Sequence, residues 1–210
     1  MHIAVIGTGN VGTALGNAWV RAGHGIIYGS RESESAATNT FVSAGDRVSV
    51  RSPKQATAAA DVIVLAVPWT AVESVLQDIS NEVQGKILID CTNPVKQWPM
   101  LDHSEGSGGE QVARMVPAAK VVKAFNNTGH ENMVKPEYPD GQTSMFFAGD
   151  DASAKKIVRG LIMDIGFDPV DAGPLAQSLA LEVMASLWGN LAYAQKMGRG
   201  IAFRLMRRGN

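Results

Sequence analysis

The stretch His2–Arg31 constrains the fold of this chain more than any other part of its sequence. The apolar residues Ile3–Ile6 lead into a turn that contains Gly7, Gly9 and Gly12, and apolar residues at helical spacing follow the turn. A second short apolar run closes the stretch. A strand, a glycine turn, a helix and a second strand within about 30 residues form a dinucleotide-binding fingerprint, whereas three glycines alone are weak evidence. The sequence therefore predicts an α/β fold that begins with a nucleotide-binding βαβ unit.

Each glycine of this turn has a physical reason to be there. Gly7 permits the turn, Gly12 lets the helix pack closely on the strand, and Gly9 lets a pyrophosphate approach the backbone without a Cβ in the way. The N–H groups at the start of the helix, around Asn10 to Gly12, would then hold the anion. The alternative is a glycine-rich turn that binds nothing.

The end of the second strand indicates which dinucleotide is bound. Proteins that bind NAD carry an Asp or Glu there, about 20 residues after the glycines, and its carboxylate accepts hydrogen bonds from the ribose hydroxyls. This chain has Ser30 and Arg31 at that position, and Glu32 follows as a contrary acid. A hydroxyl and a guanidinium would bind a 2′-phosphate that a carboxylate would repel. We therefore expect NADP(H), with a solvated surface arginine as the alternative for Arg31.

The rest of the chain alternates between strand and helix patterns, which predicts a Rossmann-type, doubly wound, mostly parallel sheet. We expect an NADP-binding domain over residues 1–173 and a C-terminal helical segment over 174–210 that packs on it. The predicted strands after the fingerprint include 47–51, 62–67, 120–125, 143–149 and 168–173. The predicted helices are 32–44, 53–60, 71–79, 110–116 and 152–165.

Ligands of doubly wound sheets lie outside the carboxyl ends of the strands, so residues that follow the apolar runs are candidates for the site. Trp69 could stack on a flat ring or cap the core, and Asn93 could bind a carboxamide or form an Asx turn before Pro94. The candidates at these strand ends are Ala66, Val67, Pro68, Trp69, Asn93, Pro94 and Asn126.

Composition excludes several classes of function. A formal net charge of −1 gives no reason to expect a nucleic-acid or membrane partner. The four histidines are dispersed without metal-ligand spacing, and neither a GxSxG elbow nor a P-loop lysine motif occurs, so we expect no metal and no protein nucleophile. One cysteine, Cys91, fits a reducing cytoplasm. The first strand begins at residue 2, and we expect no targeting segment.

Two further segments have structural interpretations that stay open. Residues 101–109 are rich in Gly, Ser and charge, which is typical of a flexible loop and makes them a candidate lid. From Leu179 onward the pattern predicts one long helix whose apolar stripe continues through Met197, Ile201 and Leu205. That stripe could pack on the sheet or form a homodimer face.

Seven motifs occur in a fixed order, namely GTGNVG, GSRE, ADVIVLAVPW, CTNP, VVKAFN, FFAGDD and DAGPL. With them, the chain resembles the NADPH-dependent coenzyme F420 reductases from residue 2 to about residue 206, including the ending MGRGIAFRL. Through VVKAFN and GFDPVDAG it also resembles the cytosolic reductase domain of the STEAP metalloreductases.

The resemblance implies a Rossmann domain with a small helical C-terminal part, usually dimeric. It also implies hydride transfer between nicotinamide C4 and C5 of a deazaflavin or flavin ring, which needs two stacked rings but no protein nucleophile. Residues carried over onto matching positions are Thr8 to Val11 for the pyrophosphate, Ser30 and Arg31 for the 2′-phosphate, Val67 to Trp69 and Asn93 for the nicotinamide, and Asn126, Pro174 and Leu175 for the acceptor.

The stretch KAFNNTG differs from the corresponding stretch of the archaeal members that bind a deazaflavin. The identity of the acceptor therefore stays open. It could be coenzyme F420, FMN or FAD that passes electrons to ferric iron, or another small redox molecule. Two other functions compete. An imine or hydroxy-acid reductase would need a longer helical domain than the roughly 35 residues after Pro174 provide. A non-catalytic NADPH sensor would keep the fingerprint without an acceptor pocket.

Overall fold

The computed structural model describes residues 1–31, 46–97 and 100–208. The predicted helix 32–44 and the contrary acid Glu32 lie outside these residues. Short strands alternate with helices along the described chain. The strands are β1 His2–Ile6, β2 Gly25–Gly29, β3 Val48–Arg51, β4 Val62–Leu65, β5 Ile87–Asp90, β6 Val95–Gln97, β7 Met100–Leu101, β8 Lys120–Lys123, β9 Glu137–Tyr138, β10 Gly141–Gln142, β11 Ser144–Gly149 and β12 Asp168–Asp171.

The helices flank the strands, and three of them begin at a side-chain cap. Ser52 and Ser107 each form a capping box, and Asp151 accepts a hydrogen bond from the backbone of Ala154. The helices are α1 Asn10–Arg21, α2 Pro53–Ala58, α3 Val72–Asp78, α4 Gly108–Met115, α5 His130–Val134, α6 Ala152–Ile165 and α7 Ser178–Gly189.

The central sheet has the strand order β12-β11-β8-β5-β4-β1-β2-β3 among the described residues. Its pairs are parallel, except that β11 runs antiparallel to β8. Two β-hairpins, β6–β7 and β9–β10, lie outside it. The strand order reverses next to β1, and such a reversal opens a crevice at the carboxyl ends of the strands. The predicted doubly wound, mostly parallel sheet is confirmed.

Apolar side chains cover both faces of the sheet, as the winding requires. One cluster contains Trp19, whose indole N–H donates to the Leu161 carbonyl at 3.0 Å and whose ring meets Phe125 edge-on. The other cluster contains Ile63 and Leu76 on the opposite face. The continuous apolar strands predicted from the sequence are buried for this reason.

The prediction of one long helix after Leu179 is wrong. Helix α7 ends at Gly189 and continues only as a π-helical turn, Asn190–Ala194. Lys196 and Gly198 then adopt positive φ angles of 56° and 80°, which reverse the chain. Residues 201–208 form neither helix nor strand and are held to the domain by hydrogen bonds.

Hydrogen bonds at both residues 201 and 203 hold this segment. The Trp188 indole donates to the Ile201 carbonyl at 2.7 Å, and the Ser144 backbone donates to the Phe203 carbonyl at 3.0 Å. The apolar residues at 197, 201 and 205 therefore do not share a helix face with α7. The domain boundary at residue 173 stays a prediction.

The predicted loop 101–109 is shorter in the structure. Leu101 pairs with Val95 in the β6–β7 hairpin, and α4 begins at Gly108. The predicted function of the remaining loop as a lid stays a prediction.

Candidate functional site

The glycine turn has the geometry that the fingerprint predicts. Gly7 has a φ of +110°, and a Cβ there would lie 2.3 Å from the Ala66 carbonyl oxygen. A Cβ at Gly12 would lie 2.0 Å from the Gly7 carbonyl oxygen, whereas a Cβ at Gly9 would meet no atom within 4 Å. Gly7 and Gly12 are thus required by the fold, and Gly9 borders open space into which a ligand can come.

The start of α1 presents backbone donors to that space. Gly9 is its N-cap residue, no side chain caps the helix, and its first turn contains no acidic residue. The N–H groups of Asn10, Val11 and Gly12 have no partner within the helix by geometry. The Thr13 hydroxyl fixes the turn from behind by donating to the Thr8 carbonyl at 3.2 Å. This end of the helix can hold an anion.

The turn opens into a crevice of about 370 Å³ at the carboxyl ends of β1, β2 and β4. Its walls bring together predicted residues from three separate segments of the chain. The structure also adds residues that the sequence analysis missed, because a cavity wall has no local sequence signal. The lining residues are Ile6, Gly7, Thr8, Gly9, Gly29, Ser30, Arg31, Pro53, Ala66, Val67, Pro68, Ala71 and Val75.

One end of the crevice carries Ser30 and Arg31. The Ser30 backbone donates to the Arg51 carbonyl at 3.0 Å, which fixes the end of β2 against β3, and Arg31 is exposed. No carboxylate is among the described residues that line the crevice. This end can therefore accept a phosphate group.

Two asparagines join the ends of β5 and β8. The Asn93 amide donates to the Asn126 carbonyl at 2.9 Å, and the Asn126 amide donates to the Asn93 side-chain oxygen at 3.0 Å. Phe125 is held at a φ of 59°, an uncommon angle for this residue type that turns Asn126 toward Asn93. Asn126 Oδ1 is buried and has no hydrogen-bond partner in the described part of the chain. Neither asparagine is among the described residues that line the crevice.

Four other predicted residues have different surroundings. Trp69 is partly buried and packs at Gly108, where a Cβ would lie 3.2 Å from its ring; it does not line the crevice. The same added Cβ at Gly108 would lie 3.1 Å from Pro94 Cδ. Leu175 is buried in the core and Pro174 is exposed, so neither lines the crevice.

The sequence analysis missed a buried group of charges beside the asparagine pair. Lys123 Nζ lies 2.8 Å from Asp90 Oδ2 and 2.9 Å from Glu182 Oε1, and all three residues are 0% exposed. His103 Nε2 lies 2.9 Å from Glu182 Oε2. We call these four residues the buried charge network. A signal was present, since each of the three buried charges interrupts an apolar run.

Backbone bonds tie the buried charge network to its surroundings. Glu182 accepts from the N–H groups of Gly108 at 3.0 Å and Gly109 at 3.1 Å, at the start of α4. Asp90 accepts from the backbone and hydroxyl of Thr92, and Lys123 donates to the Thr92 carbonyl at 2.6 Å. The network thus fixes the turn that carries Asn93.

The surroundings of Lys123 and Cys91 determine the protonation state of each. Burial disfavours the charged form of Lys123, but Asp90 and Glu182 outweigh it and raise the pKa of the amine above its usual value. Burial, and then the charge of Asp90, raise the pKa of the Cys91 thiol well above its usual value. Lys123 is therefore a cation, and Cys91 is a neutral thiol rather than a nucleophile.

Comparison with known proteins identifies the family. Residues 2–94 match the family model described as NADP oxidoreductase, coenzyme F420-dependent. The F420-dependent NADP reductase of Methanothermobacter thermautotrophicus is 33% identical over 207 residues, which cover 91% of this chain and 89% of that protein. The chain belongs to the F420-dependent NADP reductase family. It is therefore an oxidoreductase of an NADP-linked family, as the sequence motifs predict.

Two further proteins are similar to this chain. A crystal structure described as a candidate F420-dependent NADP reductase from Arthrobacter sp. FB24 is 29% identical, has a TM-score of 0.87 and aligns over 98% of this chain and 99% of its own. Metalloreductase STEAP3 of Rattus norvegicus is 30% identical over 87% of this chain, but the match spans only 36% of that protein. The predicted resemblance to both groups is confirmed.

Two features are absent from the described residues. No helix there is long and apolar enough to cross a membrane. Residues 1–31, 46–97 and 100–208 also contain no group of three or more His, Cys, Asp or Glu side chains that could hold a metal ion.

Proposed function

We propose that the protein binds NADP(H) in the crevice and transfers hydride between its nicotinamide and a second ring. The open space at Gly9 in front of uncapped backbone donors carries this proposal. Thr8 to Gly12 would bind the pyrophosphate, and Ser30 with Arg31 the 2′-phosphate.

The nicotinamide would lie at the other end of the crevice. Val67 and Pro68 line that end, and Trp69 and Asn93 are proposed to complete it, with the Asn93 amide group for the carboxamide. We keep Asn126, Pro174 and Leu175 as a proposal for the acceptor side, where Leu175 is buried and would act through the core rather than through direct contact.

The proposed acceptor is a deazaflavin of the coenzyme F420 type. Membership of the F420-dependent NADP reductase family supports it. Direct hydride transfer between two stacked rings requires positioning and exclusion of water, and no catalytic nucleophile. FMN or FAD that passes electrons to ferric iron is the second candidate, supported by the STEAP3 match.

Absorbance at about 340 nm measures this function, because NADPH absorbs there and NADP⁺ does not, and reactions without the protein correct for the absorbance of each acceptor. NADPH is offered with coenzyme F420, FMN, FAD or a ferric chelate in separate reactions, and each is repeated with NADH. We expect turnover with one acceptor and slower use of NADH. Tight NADPH binding without turnover of any acceptor would favour a non-catalytic NADPH sensor, and failure to bind NADPH would refute the proposal.

We also propose that the protein acts as a homodimer in the cytoplasm, without a nucleic-acid or membrane partner. Leu179, Val183 and Leu187 lie one turn apart on α7 and are 44%, 54% and 48% exposed, which is an apolar face that a second copy could cover. The free thiol of Cys91 fits a reducing compartment.

A further inference from the structure

The chain turns back after α7 and is bound to the rest of the domain at separate points. We call residues 196–205 of this segment the strap. The Ile201 carbonyl accepts from the Trp188 indole of α7 at 2.7 Å, and the Phe203 carbonyl accepts from the Ser144 backbone of β11 at 3.0 Å. The strap is therefore fixed both to the last helix and to the central sheet.

A buried amide of α5 ties the strap to the loop that follows β8. Asn132 is 3% exposed, and its amide donates to the Ile201 carbonyl and to the Thr128 hydroxyl, each at 2.8 Å. Its oxygen accepts from the Tyr138 hydroxyl at 2.7 Å. Because a buried polar group that loses its partner destabilises the fold, these bonds favour the closed position of the strap. One side chain thus holds both the strap and the loop residue Thr128.

Arg199 makes a second connection to the same helix. Its guanidinium group pairs with Glu131 and donates to His130 Nδ1 at 3.0 Å, and these are the first two residues of α5. It also lies over the rings of Trp188 and Tyr193, at 5.9 and 5.6 Å from their centroids. Such cation–π contacts add to the ion pair. Arg199 therefore fastens the strap to the start of α5.

The loop between β8 and α5 lies on the side of the sheet where ligands bind. β8 pairs in parallel with β5, and ligands of such sheets lie outside the carboxyl ends of the strands. Asn126 of this loop is bonded to Asn93. Gly129, at the far end of the loop, is packed so closely that an added Cβ would lie 2.8 Å from the Trp188 ring. The loop is thus held by Asn93 at one end and by the contacts of α5, α7 and the strap at the other.

We propose that closure of the strap controls the affinity for the hydride acceptor and leaves the affinity for NADP(H) unchanged. This inference rests on the proposed function, in which NADP(H) occupies the crevice and Asn126 is on the acceptor side. When the strap opens, Asn132 and Glu131 lose their partners in it, and the acceptor has to order the loop as it binds, which weakens binding. No residue of the strap is among the described residues that line the crevice.

The turn that leads into the strap offers a way to change its closure. Gly198 has a φ of 80°, and an added Cβ there would meet no atom within 4 Å. An added Cβ at Gly200 also has open space, but the φ of Gly200 lies outside the left-handed region. Both changes to Ala lower the chain entropy of the open strap, whereas only Gly198→Ala strains the closed one. The difference between the two variants should be about five- to thirtyfold in the equilibrium between open and closed strap.

Hydrogen exchange of the Trp188 indole N–H, followed by NMR, reports the opening of the strap, because this group donates to Ile201. The Trp19 indole N–H, which donates to the Leu161 carbonyl in the core, is the internal control. The Trp188 group should exchange about five- to thirtyfold faster in Gly198→Ala than in Gly200→Ala, and the Trp19 group equally fast in both. Equal exchange of the Trp188 group in both variants would overturn the proposal.

The effect on the acceptor is measured with coenzyme F420 as the probe. In Asn132→Ala the KM for coenzyme F420 should rise about five- to hundredfold, as expected when buried bonds are lost. The dissociation constant of NADPH, from calorimetry, should stay within about twofold of that of the unmodified protein. Arg199→Met should change both constants in the same directions by less. The matched control is Arg114→Met, since Arg114 is also an exposed arginine but bonds to the Glu105 carbonyl; it should leave both constants unchanged.

The outcomes separate this inference from the proposed function. If NADPH does not bind to the unmodified protein, or binds without turnover of any acceptor, the proposed function fails and this inference fails with it. If coenzyme F420 is turned over and its KM is unchanged in Asn132→Ala and Arg199→Met, only the control by the strap is refuted. An equal loss of affinity for NADPH would refute it as well. If Asn132→Ala does not fold, Arg199→Met and the pair Gly198→Ala and Gly200→Ala decide.

Discussion

Replacing Lys123 by Met tests whether the buried charge network stabilises the fold as its geometry requires. Met has a similar volume but no charge, so Asp90 and Glu182 would stay buried without the cation that lies 2.8 and 2.9 Å from them. Removing one partner of a fully buried ion pair costs about 3–5 kcal/mol, because the remaining charge is uncompensated. We expect this loss in the free energy of unfolding at neutral pH.

The size of the effect makes it measurable. The free energy of unfolding of such a domain is about 5–15 kcal/mol, so this loss would remove a large share of the total stability. Urea unfolding followed by circular dichroism gives the unfolding midpoints of the two proteins. Their difference reports the change in stability, provided that the slope of the free energy against urea concentration is unchanged. The raised pKa of Lys123 means that its contribution is present below the ordinary lysine pKa and is lost as pH rises through the folded value.

The matched control is Lys120→Met on the same strand. Lys120 lies 3.2 Å from Asp151, but the two side chains are 41% and 34% exposed, and exposed pairs contribute about 0–1 kcal/mol. The double variant Asp90→Asn with Lys123→Met should recover part of the loss, since it removes one unpaired charge. A Lys123→Met protein that loses less than about 1 kcal/mol would refute the assignment of Lys123 as a buried, paired cation.

Three further predictions concern the crevice and the exposed face of α7. Gly9→Val should fold with near-normal stability, yet calorimetry should show no binding of NADPH or NADH. The control Gly160→Val, whose added Cβ also has free space, should bind both nucleotides normally. Retained binding by Gly9→Val would contradict the proposed pyrophosphate site. Ser30→Asp combined with Arg31→Ala should weaken NADPH about 10- to 100-fold, from one charge-assisted contact, while NADH binding holds or improves; an unchanged preference would end the 2′-phosphate assignment. Leu187→Glu should convert a dimer to a monomer in light scattering, and an unmodified protein that is already monomeric would exclude the proposed interface.

Local chemistry explains which parts of the fold were predictable. Helix α6 was predicted at its observed bounds because Asp151 caps its start, and Gly166, at a φ of 109°, ends it. The glycine turn was predictable because Gly7 and Gly12 are each fixed by one close backbone approach. The end of α7 was not, because the apolar spacing continues past the residues where the chain reverses at Lys196.

Long-range contacts explain what the sequence did not reveal. The members of the buried charge network come from distant elements, as Asp90 and Lys123 are on neighbouring strands and Glu182 is on the last helix. Each stood out as a charge in an apolar run, but no spacing rule relates the three positions. Their partnership became visible only when the strand order placed β5 beside β8.

The buried charge network and the asparagine pair show how a site without a catalytic nucleophile can still require rigidly held side chains. Transfer of hydride between rings depends on distance and angle, so the residues that hold the nicotinamide must themselves be immobile. Asn126 is held by Asn93, and the turn that carries Asn93 is held through Thr92 by Asp90 and Lys123. Rigid positioning would thus come from one set of buried contacts that runs from the charged side chains through Thr92 to the asparagine pair.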